Sequence, residues 1–171
     1  LKKKYGDVRR TEIVEADPED FREEDLIAHQ DSVITLSIRN YIKRMPLEEF
    51  RQQRRGGQGA RGAPTREEDA VMKLVVCDTH DNLLFFTDKG KVYHLRAYDV
   101  PDTKKQAKGL PIVNLIEIEA GDRVTAILVI KSYEADFILL ATRLGEIKKT
   151  LLKDFEEVRR NGKIAMDLEP D

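Results

Sequence analysis

LFFTDKGKVYH, residues 84–94, carries the decisive pattern of this chain: a short apolar run, a Gly-containing turn, then apolar and polar residues in alternation. The run is rich in strand formers. Gly90 suits the positive φ that a tight hairpin turn demands. Val92 then sits between Lys91 and Tyr93, as the second strand of a hairpin requires. The same pattern stands fifty residues earlier in ITLSIRNYIKR (34–44) and fifty-five later in LLATRLGEIKK (139–149). Ile34, Leu84 and Leu139 share one position, and Ser37, Thr87 and Thr142 share a hydroxyl position. Asn40, Gly90 and Gly145 share the turn, and Ile42, Val92 and Ile147 follow two places on.

A hairpin that recurs about every fifty residues predicts an all-β, propeller-like array. A helical solenoid would carry a 3.6-residue period instead. The runs LLFF (83–86) and FILL (137–140) do not alternate, which predicts strands covered on both faces, as in a sheet wedged between two others. Further strands are predicted in AVMKLVVCDT (70–79) and RVTAILVIKS (123–132). Residues 1–12 read as the end of a charged helix. Residues 13–30 read as an acidic link that holds a candidate outer strand, DLIAH (25–29).

Composition narrows the class. Of 171 residues, 40% are hydrophobic and 36% charged, which describes a highly charged globular chain. No apolar run is long enough to span a bilayer, and no apolar stretch follows the charged start to make a signal peptide. The chain begins at Leu1, without Met, so excision from something longer is expected. A single cysteine, Cys77, excludes an internal disulfide framework and suits a reducing, cytoplasmic setting. His29, His80 and His94 are far apart and do not pair with Cys77 at zinc-ligand spacing, so no metal site is expected. No GxxxxGK[ST] phosphate loop is present.

The net charge of -2 hides a segregation. Residues 39–62, 89–108 and 143–163 together carry +12, and the remainder carries -14. Nucleic acid responds to local potential, not to the total. Each hairpin is followed by a basic, Gly-containing loop: RQQRRGGQGARGAPT (51–65), PDTKKQAKGLP (101–111) and EEVRRNGKI (156–164). In the first, Gln53, Arg54, Arg55, Gly56, Gly57, Gln58 and Gly59 form QRRGGQG. Its glycines allow close backbone approach to an anion, and its arginines offer forked donors that match phosphate.

QRRGGQG resembles the gyrase box of gyrase A subunits, which usually reads QRRGGKG; Gln58 stands where Lys is common. The similarity extends over nearly the whole chain. KKYGDVRRTEI (3–13) resembles the exit from a coiled-coil arm, and YIKRMPLEEFRQQRRGG (41–57) a first blade. CDTHDNLLFFTDKGKVYHLRAYDVP (77–101) with GLPIVNLI (109–116) resembles a second blade, and TRLGEIKKTLLKDF (142–155) a third. The resemblance implies a six-bladed β-pinwheel of four-stranded antiparallel blades that exchange strands, with about three blades here. Arm and linker would occupy residues 1–30, and blades 31–80, 81–132 and 133–171, the last incomplete.

It also implies sequence-tolerant binding and wrapping of double-stranded DNA, without catalytic residues in this segment. The holoenzyme would be an ATP-dependent type II topoisomerase that introduces negative supercoils. ATP, Mg, the gyrase B protein and the second gyrase A protein would be engaged by other domains, and the location would be the bacterial cytoplasm, without a membrane. None of Tyr5, Tyr41, Tyr93, Tyr98 or Tyr133 sits in the context of the cleaving tyrosine. The expected phosphate contacts are Arg39, Lys43, Arg44, Arg54, Arg55, Lys89, Lys91, Arg96, Lys104, Lys105, Lys108, Arg143, Lys148, Lys149, Arg159, Arg160 and Lys163. Two alternatives stay open: the C-terminal domain of topoisomerase IV, whose box is usually degraded, and a propeller that serves as a protein scaffold.

Overall fold

The computed structural model describes residues 23–50, 69–104, 106–134 and 137–168. Among these the regular elements are ten strands and short 3-10 turns, with no α-helix. The three predicted hairpins are β1 (Asp31–Ser37) with β2 (Tyr41–Pro46), β4 (Asn82–Thr87) with β5 (Lys91–Arg96), and β8 (Phe137–Ala141) with β9 (Ile147–Leu151).

The shared sequence positions act alike in all three. Asn40, Gly90 and Gly145 adopt φ of 61°, 75° and 92°. Their N–H groups donate to the carbonyls of Ser37, Thr87 and Thr142 at 3.0, 3.1 and 3.2 Å. The hydroxyls of those same residues accept the N–H four places on, from Tyr41, Lys91 and Glu146, at 3.1, 3.3 and 3.1 Å. A short hydroxyl side chain is what lets one residue hold both sides of a turn. After each hairpin the chain enters a 3-10 turn: Leu47–Phe50, Ala97–Asp99 and Leu152–Phe155.

The two other predicted strands are β3 (Val71–Asp78) and β7 (Val124–Ile130). Each lies antiparallel to the first strand of the preceding hairpin, and both register shifts fall at equivalent places, Leu36/Ser37 and Phe86/Thr87. The fourth strand of each sheet is only two residues long and comes from further along the chain. β6 (Leu110–Pro111) joins β2, which completes the order β3-β1-β2-β6. β10 (Lys163–Ile164) joins β5, which completes β10-β5-β4-β7. The second hairpin unit thus lends a strand to the first sheet, and the third lends one to the second.

The middle sheet is covered on both faces. Leu83, Phe85, Tyr93, Leu95 and Ile127 pack with Ile34, Leu36, Ile42 and Cys77 of the first sheet. Leu84, Phe86, Val92 and Ile130 pack with Ile138, Leu152 and Phe155 on the other side. Every residue of β4 is buried, as its unbroken apolar run predicts. Full burial of each large side chain contributes about 1.5–3 kcal/mol.

Two expectations are corrected. DLIAH (25–29) is not a strand. Residues Glu23–Leu26 form a 3-10 turn, Leu26 is 80% exposed, and β3 already occupies the edge of β1 that an outer strand would need. FILL (137–140) is covered on one face only. Ile138 packs inward while Phe137 and Leu139 are 55% and 66% exposed, since no further described sheet lies against that face of β8. The helical reading of residues 1–12 lies outside the described residues.

Candidate nucleic-acid interface

The second and third basic loops occupy equivalent places in the topology. In the second unit, residues 97–109 connect β5 to the strand exchanged into the first sheet. In the third, residues 152–162 connect β9 to the strand exchanged into the second sheet. Both connections end in a glycine at positive φ, Gly109 at 90° and Gly162 at 80°. Gly109 lies against Ile42 and Lys43, and Gly162 against the ring of Tyr93, where Lys43 and Tyr93 hold the same repeat position. Lys104 and Lys108 are exposed on the first connection, and Arg159 and Arg160 on the second. No described residue pairs with the side chains of Lys104, Arg159 or Arg160. Lys105 and the whole of 53–59 lie outside the described residues.

The remaining predicted cations are spent in different ways. Arg39 and Arg143 are exposed beside the hairpin turns. Lys89 pairs with the buried carboxylate of Asp122 at 2.5 Å, and Lys91 pairs with Glu119. Those bonds hold both ammonium groups above the ordinary lysine pKa, against a smaller opposing effect of desolvation. Arg96 donates to the carbonyl of His80 at 3.0 Å. Lys148 donates to the carbonyl of Ala165 at 2.8 Å, and Lys163 to that of Asp154 at 2.5 Å. Lys108 and Lys149 each lie 3.9 Å over a ring, Tyr41 and Phe137 respectively. Apart from Lys89, whose partner carboxylate is buried, these cations are held by single contacts near the surface, so an incoming phosphate can compete for most of them.

Lys43 lies beneath the surface, and Arg44 is half-buried. Lys43 is 8% exposed and donates to the carbonyl of Ala107 at 2.9 Å. Arg44 donates to the carbonyl of Val100 at 3.0 Å, and its backbone holds Pro101 and Thr103. Both are struts that fasten the 97–109 connection to the first sheet. Positive charge in a window does not separate such struts from surface cations. Conversely, Lys131 and Lys153 are exposed and were not among the predicted contacts. Lys153 stands in the third basic window, one residue into a 3-10 turn that nothing in the hairpin pattern announces.

The profile of the family described as "DNA gyrase C-terminal domain, beta-propeller" matches residues 31–78, 81–131 and 136–171, one stretch for each hairpin unit. The chain belongs to this family. Curated relatives of this gyrase C-terminal domain include the DNA gyrase A protein of Staphylococcus epidermidis, 44% identical over all of the chain and 19% of the relative. The DNA gyrase A protein of Staphylococcus aureus is 45% identical over all of the chain and 20% of the relative. The chain therefore spans about a fifth of the relatives it matches. Among solved structures, a DNA topoisomerase IV C-terminal domain superposes with a TM-score of 0.68 at 25% identity, over 85% of this chain and 44% of that one. A DNA gyrase A C-terminal domain gives 0.66 at 26%, over 82% and 44%. The two superpositions do not separate gyrase from topoisomerase IV; the sequence identity to gyrase A proteins favours the former.

Proposed function

We propose that this gyrase-family segment binds and wraps double-stranded DNA for a gyrase A protein, without reading its bases. The observation that carries the reading is the recurrence of one basic connection. Lys104 with Lys108, and Arg159 with Arg160, stand on the same link between a hairpin and its exchanged strand. The box residues Gln53 to Gly59 follow the first hairpin in sequence and lie outside the described residues. Cations repeated at a fixed structural interval suit the backbone of a bent duplex. Phosphate contacts position DNA without specifying sequence. Bending a 20–30 bp site costs about 1–6 kcal/mol, so several blades must act together.

In this reading the blades run over 31–80, 81–132 and 133–171. Wrapping with a fixed hand presents a second DNA segment to a cleavage gate elsewhere in the holoenzyme, in one crossing sense. ATP, Mg, the gyrase B protein and the second gyrase A protein are engaged by other domains, in the bacterial cytoplasm. No helix of the described residues is long and apolar enough to cross a membrane.

Alanine replacement of residues 53–59 in the intact protein tests the reading. Relaxation is expected to survive while negative supercoiling is lost; unchanged supercoiling overturns the role of the box. A DNA affinity independent of salt would favour a protein scaffold, since each neutralised phosphate steepens the log–log slope by about 0.9.

A further inference from the structure

His29, Asp78 and His80 converge at one edge of the first sheet. His29 lies two residues before β1, Asp78 ends β3, and His80 stands in the turn before β4. The register pairs Asp31 with Asp78. Buried Thr79 clamps the approach: its hydroxyl donates to the carbonyl of Ala28 at 2.8 Å and accepts the N–H of Gln30 at 3.2 Å. The two residues that flank His29 are thereby fastened to the residue between Asp78 and His80.

Two imidazole nitrogens meet one carboxylate oxygen there, and His29 Nδ1–H donates to Asp78 Oδ1. Asp78 Oδ1 lies 2.8 Å from His29 Nδ1 and 3.5 Å from His80 Nδ1, and the three ligand atoms lie within 4.8 Å of one another. The imidazole rings stack at 3.9 Å with 28° between their planes. His80 Nε2 is 3.2 Å from the carbonyl oxygen of Glu24, which can only accept, so Nε2 bears the hydrogen. In the neutral ring this leaves a lone pair on Nδ1. That lone pair faces Asp78 Oδ1 and, at 3.2 Å, the hydroxyl of Thr79, whose own proton is committed to Ala28. The backbone N–H of His80 donates to the same Asp78 Oδ1 at 2.8 Å and fixes the carboxylate in place. A single hydrogen joins His29 Nδ1 to Asp78 Oδ1, and beside it the His80 Nδ1 lone pair is left without a donor, so a cation that displaced that hydrogen would meet three ligand atoms at once.

We propose that His29, Asp78 and His80 form a site for a divalent transition metal of the zinc type, which fastens the approach to the first blade onto the turn between β3 and β4. Two imidazole nitrogens and one carboxylate suit zinc, cobalt or nickel, whereas calcium and magnesium take oxygen ligands. Tetrahedral bonds of about 2.1 Å set ligand atoms about 3.4 Å apart, and the two separations from Asp78 Oδ1 bracket that value. An imidazole whose second nitrogen donates to a backbone carbonyl is the usual orientation of a metal-bound histidine. The side chain of His29 is 75% exposed, which leaves a path of entry and a position for water.

Titration of the chelator-stripped intact protein with Co2+ tests the site. Expected are tetrahedral visible absorption that saturates at one equivalent, displacement by Zn2+ but not by excess Mg2+ or Ca2+, and retention in Cys77→Ser. His29→Gln and His80→Gln should each weaken binding by at least ~10-fold. Nitrogen NMR of the unsubstituted protein guards against misfolded variants: Zn2+ should shift the His29 and His80 resonances and leave His94 in place. Absence of saturation at one equivalent, unchanged binding in a variant carrying both His29→Gln and His80→Gln, or unmoved His29 and His80 resonances would each show that only a proton fills the gap. DNA wrapping enters none of these readouts, so the two proposals stand or fall separately.

Discussion

The backbone N–H of Ala165 donates to the carbonyl of Gly90 over 2.8 Å, and Ile112 makes the same bond, at the same length, to Asn40. In each case the residue just past an exchanged two-residue strand is tied to the turn of the preceding hairpin. A strand of two residues cannot hold its place by ladder bonds alone, and this anchor extends its pairing by one residue. The positive φ that closes the turn also shapes the dock, since a Cβ on Gly90 would lie 2.0 Å from the carbonyl oxygen of Met166.

Gly90→Ala and Gly109→Ala should therefore unseat an exchanged strand. A Cβ on Gly109 would stand 2.5 Å from the Ile42 carbonyl oxygen, whereas Gly121, at φ 89°, has nothing within 4 Å. Gly121→Ala should cost roughly 1 kcal/mol from backbone strain, and the other two roughly 3 kcal/mol or more. Urea unfolding of the intact protein measures this. Equal losses at all three glycines would show that strand docking contributes little.

Lys43 and the arginines at 159 and 160 should fail in opposite ways. Lys43→Ala removes the donor to the Ala107 carbonyl and is expected to cost about 1–3 kcal/mol of stability. Arg159→Ala and Arg160→Ala should leave stability within about 0.5 kcal/mol. Each should also reduce the steepness of the DNA salt dependence by about 1. Unfolding and salt-titrated DNA binding on the same preparations separate the two behaviours.

His94 should make the fold sensitive to mild acid. Burial, and then the charge of Arg96, push its imidazole below the usual 6.5, with Asp99 opposing, while Nε2 lies 2.8 Å from Asn82 Oδ1. The unfolded chain takes up the proton near 6.5 and the folded chain only at lower pH, so the unfolded state binds more protons in that window. Stability is then greatest above 6.5 and falls as pH drops below it. An NMR titration in which His94 has its midpoint at or above 6.5 would contradict this.

Cys77 should be inert while the protein is folded. Burial, and then the nearby charge of Asp81, push its thiol up to about 11. The thiolate that reagents attack is thus scarce at neutral pH. A thiol-specific reagent should label the protein only in denaturant. The unfolded thiol ionises near 9.0, so this contribution to stability is complete below that value and is lost as pH climbs from 9.0 toward 11. Rapid stoichiometric labelling of the native protein would mean that the first sheet opens readily at β3.

Side chains and turns a few residues apart carry the readable part of this molecule. Ser37 and Asn40, Thr87 and Gly90, and Thr142 and Gly145 act within five residues, so the hairpins, their spacing and the all-β class follow from composition and order alone. The resemblance of Gln53 to Gly59 to a gyrase box is likewise carried by a local string. Other features depend on residues that meet only after folding. Leu110–Pro111 and Lys163–Ile164 are too short to signal a strand, and their partners lie some seventy residues away in each case. DLIAH has strand-like composition but no free edge to join. Lys43 resembles its exposed neighbours until the 97–109 connection closes over it.

The distribution of turn formers, apolar runs and basic loops along the chain determined the repeating hairpin and the family to which it belongs, because hairpin formation is set by contacts between near neighbours. Tertiary structure alone decided which unit lends a strand to which sheet and which lysines become struts. It also decided that His29 meets Asp78 and His80 across 49 and 51 positions of sequence. Those outcomes depend on which edges, carbonyls and faces remain unpaired once the hairpins stack, and that quantity is a property of the packed array, not of any segment in it.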